Sequence, residues 1–291
     1  MSESERVVLP NGVGLDVTVE GDGPPVLLNP GMGMPKATWQ FAGVTQGLVD
    51  AGFRVISYSA RGVAGSDAPP PPYDVPAMAD DAALLLDHFA VDRAIVVGYS
   101  MGCYVTQALL ERRPGTAQGV VMCAGLASSE IGKLVNEMEL GLFERLGEVP
   151  AQVMAFETLM TTLPASALQD AETVRVWRDM LVDGDSSWTS PDGQHGQLAA
   201  SQSWMLAGEP TRERLAAIDV PTLVIAYEND LFFPPGTSRA AAEMIPDADF
   251  VQVNGLSHGG LMLDPDRTAT ARIIDFAVAV RSGDRPIRDR A

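Results

Sequence analysis

The apolar residues of this chain follow two rhythms. Unbroken runs in PPVLLNPG (24–31), FRVISYS (53–59), RAIVVG (93–98), GVVMCAG (119–125) and PTLVIAYEND (221–230) show no polar alternation, the pattern of strands buried on both faces of a parallel sheet. Between them, TWQFAGVTQGLVDAG, PAMADDAALLLDHFAV and MGCYVTQALLERRP space their apolar residues three and four apart, which predicts helices. Gly52 is suited to cap the first of these, and Pro76 sits near the start of the second. At the N-terminal side, ERVVLPNGVGLDVTV (5–19) reads as two short strands around an Asn11-Gly12 turn.

From about Ser128 to Gly208 the rhythm changes. EIGKLVNEMELGLFERLGEV, VPAQVMAFETLMTTL and ETVRVWRDMLVDG read as helices with no convincing strand between them. Alternation then resumes with PTLVIAYEND, the helix SRAAAEMIP, the strand DFVQVNG and a last helix RTATARIIDFAVAVRSG, before a polar tail DRPIRDRA expected to fray. The expected architecture is therefore α/β, with a mostly parallel central sheet, helices on both faces and a helical insertion. Its divisions are residues 1–127 for the first part of the core, 128–210 for a helical cap and 211–291 for the second part.

Composition narrows the function classes. The 291 residues are 46% hydrophobic, ample for a core, and carry a formal net charge of −18. Such a balance repels phosphate backbones and anionic lipid, so neither nucleic acid nor a membrane is an expected partner, and a small molecule is. The start MSESERVVLPNG has no long apolar run, and no stretch reaches the length of a membrane helix. Cys103 and Cys123 are too few for a disulfide framework and read as small buried hydrophobes, so a cytoplasmic setting is expected. No metal-ligand cluster or phosphate-cradling glycine loop is evident, and no cofactor is expected.

The candidate chemistry begins at GYSMG (98–102), a G-x-S-x-G between a predicted strand and a predicted helix. That setting puts Ser100 on a sharp turn at the carboxyl edge of the sheet, as a nucleophile requires. A serine hydroxyl needs a general base oriented by an acid. Of three histidines, His88 sits in a helix and reads as partly buried, and His195, in SPDGQHGQ, reads as a surface residue of the insertion. His258, in VNGLSHGG, directly follows a strand and is the candidate base. In the order Ser…Asp…His, Asp230 of YEND is the candidate acid, ahead of Glu228 at the strand end. Oxyanion donors are expected from the backbone N–H of Met101, next to the serine, and of Met32 in the glycine-flanked loop Pro30–Met34.

With these residues in hand, the chain resembles the α/β-hydrolase superfamily, specifically its esterase, lactonase and haloperoxidase-like branch with a helical cap. The resemblance is carried by PGMGM with Trp39 downstream, ARGVAGSD (60–67), GYSMG, YEND and GLSHGG. It implies the same Ser100, Asp230 and His258, with Met32 and Met101 as oxyanion donors, and a structural role for the ARGVAGSD loop. Pro30 stands where many members have a histidine, and Cys103 where Gly or Ala is common. The expected activity is hydrolysis of carboxylic esters or lactones of small to medium, mainly apolar substrates. Carbon–carbon bond hydrolysis or haloperoxidase-like perhydrolysis uses the same residues, and a ligand-binding receptor on this fold is a more distant alternative. Natural substrate and oligomeric state are not legible in the chain.

Overall fold

The computed structural model describes residues 4–183 and 186–284, so the tail from 285 onward lies outside it. Eight strands form one sheet: β1 (Glu5–Val8), β2 (Gly14–Glu20), β3 (Pro25–Asn29), β4 (Arg54–Ser59), β5 (Ala94–Tyr99), β6 (Ala117–Cys123), β7 (Thr222–Tyr227) and β8 (Ala248–Val253). Their spatial order is β1-β2-β4-β3-β5-β6-β7-β8. β1 pairs antiparallel with β2, and β2 with β4, whereas every pairing from β4 to β8 is parallel.

The uniform apolarity of the inner strands has a direct cause. Leu27 of β3 joins one hydrophobic cluster while its neighbours Val26 and Leu28 join another across the sheet, so both side-chain sets of the strand leave water. Helices Val75–His88 and Met101–Arg112 pack together on one face. Val44–Asp50 packs against Thr268–Ser282, which reaches β6 and β7 on the other.

The hairpin before β2 closes through Gly12 N–H to Leu9 O at 2.8 Å and Leu9 N–H to Val13 O at 2.9 Å. The helix expected over TWQFAGVTQGLVDAG is two, Ala37–Phe41 and Val44–Asp50, divided at Gly43 with its left-handed φ of 76°. Gly52 ends the second as anticipated: its N–H reaches Val49 O and the Phe53 N–H reaches Leu48 O, the paired bonds that close a helix C-terminus.

Among the described residues, besides the short helix Arg212–Ala216 that leads into β7, five helices lie between β6 and β7: Glu130–Leu146, Ala151–Thr162, Ala165–Leu168, Ala171–Asp183 and Pro191–Leu206. The last has no counterpart in the sequence reading. Its inward face carries Gln194, Gln197 and Ser201 beside Leu198 and Trp204, so no clean apolar stripe marks it. Among the described residues, no helix is long and apolar enough to cross a membrane, and no group of three or more His, Cys, Asp or Glu could hold a metal ion.

Candidate active site

Ser100 stands between the last residue of β5 and the first of helix Met101–Arg112, with φ 52° and ψ −124°. Few L-residues adopt this conformation, which stores strain and turns the side chain out of the sheet edge. The glycines around it are demanded by contact. A Cβ on Gly102 would lie 2.1 Å from Asn29 O, and one on Gly98 would lie 2.6 Å from Gly102 O. Strand β3, the turn and the helix thus touch backbone to backbone, and Ser100 N–H donates to Cys123 O at 3.0 Å.

Two hydrogen bonds connect this serine to distant parts of the chain. His258 Nε2 lies 3.0 Å from Ser100 Oγ, and His258 Nδ1 lies 2.9 Å from Asp230 Oδ2. Asp230, buried just beyond β7, accepts the N–H groups of Phe232 and Phe233 on Oδ1 at 2.9 and 3.0 Å. That leaves Oδ2 for the imidazole. Burial alone would push the His258 pKa down, but the charge and hydrogen bond of Asp230, helped by the Glu157 carboxylate, outweigh it and hold the pKa above its ordinary value.

The histidine loop is clamped from several sides. Tyr99 O–H donates to His258 O, and the rings of Tyr99 and Phe233 stack near the imidazole at 5.7 and 5.6 Å. The backbone N–H groups of His258 and Gly259 donate to Thr161 O and Thr162 O at 3.2 Å, so the end of helix Ala151–Thr162 braces the loop. Glu228 is exposed and accepts Gly255 N–H at 2.7 Å. Asp264 binds the N–H groups of Asp266 and Thr268 at the start of the last helix. His88 is exposed rather than partly buried. His195 is half-buried with its ring stacked 4.4 Å from Phe143, not turned to the surface.

The loop after β3 shows which amide remains available. Gly31 N–H donates to Met34 Sδ, Met34 N–H to Gly31 O, and Gly33 N–H to Gln197 Oε1 at 2.9 Å. The N–H of Met32 has no acceptor among the described residues, nor does that of Met101, and both residues line the same cavity as Ser100. Gln197 also donates from Nε2 to Arg61 O at 2.7 Å, while the Arg61 guanidinium pairs with Asp81 through two bonds of 2.6 and 2.7 Å. The ARGVAGSD loop is thus scaffolding. Asn29, beside Pro30, is buried; its Nδ2 donates to Thr106 Oγ1 and its Oδ1 accepts Tyr58 O–H, each at 2.9 Å. It anchors the end of β3.

Sequence reasoning did not find Gln197, Asn29, the Tyr99 hydroxyl or the carbonyls of Thr161 and Thr162. Each acts on a partner far away along the chain, for which the sequence carries no local signature. The thiols of Cys103 and Cys123 are buried, and burial raises both, Cys123 to about 12, so they stay protonated.

The cavity above Ser100 holds about 790 Å³ and is lined mainly by apolar side chains, many of them from the helices between β6 and β7. Two carboxyl groups, Glu139 and Glu157, and the amide of Asn136 also face it. Neither glutamate figured among the candidate residues read from the chain.

The sequence profile of the alpha/beta hydrolase family matches residues 26–271. The BpoC protein of Mycobacterium tuberculosis is 28% identical over 263 residues, covering 88% of this chain and 95% of the relative. The non-heme chloroperoxidase CPO-A1 of Kitasatospora aureofaciens is 26% identical over 264 residues, covering 85% and 89% of the two chains. Among solved structures, an esterase from Thermogutta terrifontis superposes with a TM-score of 0.79 at 25% identity, over 96% of this chain and 99% of that one. With the profile spanning most of its length and the sheet in the order described, the chain belongs to the alpha/beta hydrolase family.

Proposed function

We propose that this protein is a serine hydrolase acting on carboxylic esters or lactones of small to medium, mainly apolar substrates through an acyl-enzyme. The observation that carries the reading is the continuous chain from Asp230 to His258 to Ser100, with links of 2.9 and 3.0 Å.

The chemistry follows from the donors. Asp230 can only accept, so His258 keeps its proton on Nδ1 and presents a bare Nε2 to the Ser100 hydroxyl. As Ser100 Oγ bonds to the substrate carbonyl carbon, its proton passes to Nε2 and the carbonyl electron pair moves onto oxygen. The amides of Met32 and Met101 are the groups free to hold that oxyanion. Collapse expels the alkoxide, which takes the proton from Nε2. A water molecule, deprotonated by the same nitrogen, then releases the acid and restores Ser100. Residues 128–210 act as a cap in this reading: they wall the cavity, and their hydrogen bonds to Gly33 and His258 tie them to the oxyanion loop and the base.

Perhydrolysis is the second reading, favoured by the resemblance to a protein named as a chloroperoxidase. In it hydrogen peroxide replaces water in the second half-reaction. The test is a panel of p-nitrophenyl esters and lactones, with and without peroxide, on wild type and Ser100→Ala. Turnover and labelling by a fluorophosphonate are expected in wild type, with loss of both in the variant. Equal rates in the two proteins would remove Ser100 as the nucleophile.

A further inference from the structure

Helix Glu130–Leu146 is built inside out. Its apolar residues Ile131, Leu134 and Met138 are 44%, 48% and 61% exposed, while Asn136 and Glu139 are 4% and 5% exposed and face the cavity above Ser100. A spacing of three places those two polar side chains on one helix face, so their inward aim is a property of the whole helix.

The polar groups there are left incomplete. Asn136 Nδ2 donates to Leu198 O at 3.3 Å, which fixes the amide orientation because that carbonyl can only accept. Its Oδ1 is buried with no partner. The Glu139 carboxyl has no hydrogen-bond partner among the described residues. Glu157, on the neighbouring helix, receives hydrogen bonds from Thr161 and Thr158 at 3.2 and 3.4 Å. Among the described residues no lysine or arginine lines this cavity, but the indole rings of Trp177 and Trp188 do.

We propose that Asn136, Glu139 and Glu157 form an acceptor subsite for a protonated amine on the substrate, so that the preferred ester or lactone carries an ammonium group away from its reacting carbonyl. This rests on the hydrolase reading of the same cavity and adds its substrate class. Burial, with the charge of Glu157 second, pushes the Glu139 carboxyl up to about 8, the mark of an acid held without a counter-charge. An ammonium supplies both the missing charge and several N–H donors, where a neutral hydroxyl supplies one donor. Aromatic faces accept the same cation. The formal net charge of −18 draws cations towards the protein.

The experiment separates binding from turnover. Hexylammonium and hexanol are titrated calorimetrically into wild type, Glu139→Gln and Asn136→Asp, with thermal melts confirming that each protein folds. Wild type is expected to bind the ammonium at least tenfold tighter than the alcohol, Glu139→Gln to lose most of that preference, and Asn136→Asp to keep or raise it. In parallel, kcat/KM is compared for p-nitrophenyl ω-aminoalkanoates of six to eight carbons and for alkanoates of matched length. The ratio should favour the amines tenfold or more in wild type and fall towards one in Glu139→Gln.

Equal binding of ammonium and alcohol in wild type, or an undiminished preference in Glu139→Gln, overturns the subsite. So does an Asn136→Asp protein that binds ammonium no better than the alcohol. Turnover of the alkanoates with no amine preference sinks the subsite and leaves the hydrolase reading standing. Ammonium binding without turnover of any ester does the reverse.

Discussion

Replacing Asp230 by asparagine tests the hydrogen-bonded chain at its most constrained point. The N–H groups of Phe232 and Phe233 both point at Oδ1, so an amide must put its oxygen there and its NH2 towards His258. The imidazole that serves Ser100 carries its proton on Nδ1, and two donors would then face each other across 2.9 Å. The ring escapes by moving its proton to Nε2, which turns the base into a donor towards Ser100. Holding the productive tautomer leaves two buried donors unsatisfied, at roughly 1–3 kcal/mol each, and forfeits the charge that stabilises the imidazolium. The total is about 4–6 kcal/mol, or roughly 10³–10⁴ in kcat/KM.

The pH profile gives a second readout with a definite sign. The proposed mechanism requires neutral His258, so kcat/KM is expected to rise with pH through its pKa, which the Asp230 charge holds up against burial. In Asp230→Asn that support is gone and the acid limb moves to lower pH. Measurement of kcat/KM for p-nitrophenyl acetate from pH 5 to 9, with a melt to confirm folding, checks both. A variant within tenfold of wild type throughout, or an acid limb displaced upward, would refute the assignment of Asp230 as orienting acid.

Gln197→Leu leaves Gly33 N–H and Arg61 O without their partners; a loss of about 2–4 kcal/mol in urea melts and a roughly tenfold drop in kcat/KM are expected as the Met32 amide drifts. Gly102→Ala forces a Cβ to within 2.1 Å of Asn29 O, and this backbone collision should cost about 3 kcal/mol or more and abolish fluorophosphonate labelling. Glu139 titrates near 4.5 when unfolded and about 8 when folded, so from pH 4.5 to 8 the native state holds a proton the unfolded chain has lost, and stability falls as pH rises. Glu139→Gln removes this dependence and should be the more stable protein at pH 8 by up to about 5 kcal/mol, read from melts at both pH values.

The parts of the molecule legible in the chain are those in which sequence neighbours do the work. Strands β3 to β7 are buried on both faces, so their runs of Val, Leu and Ile carry the signal within six residues. GYSMG announces itself because the elbow needs Gly98 and Gly102 at fixed distances from Ser100. Asp230 and His258 could be chosen because each lies in the loop that follows a strand, β7 or β8, and strand ends of a parallel sheet share one edge. The division of TWQFAGVTQGLVDAG at Gly43 was not legible, since a glycine inside a helical pattern does not declare whether it will take a positive φ.

The helices over the cavity follow a different logic. Periodicity locates a helix by assuming that its apolar stripe faces protein. Helix Glu130–Leu146 satisfies the spacing and inverts the facing, because the space beneath it is an open cavity rather than a packed core. Pro191–Leu206 fails the spacing because Gln194 and Gln197 are turned inward to bind the amides of Val149 and Gly33. Asn136 and Glu139 line the cavity, whereas Gln197 holds Gly33 in the loop beside it and Gln194 holds Val149. A segment whose polar side chains point inward must give them partners or leave them exposed to whatever enters. Gln194 and Gln197 have theirs from the protein. Glu139 and Asn136 Oδ1 do not, and that difference separates the helix that holds the Pro30–Met34 loop from the helix whose polar groups stand open to the cavity.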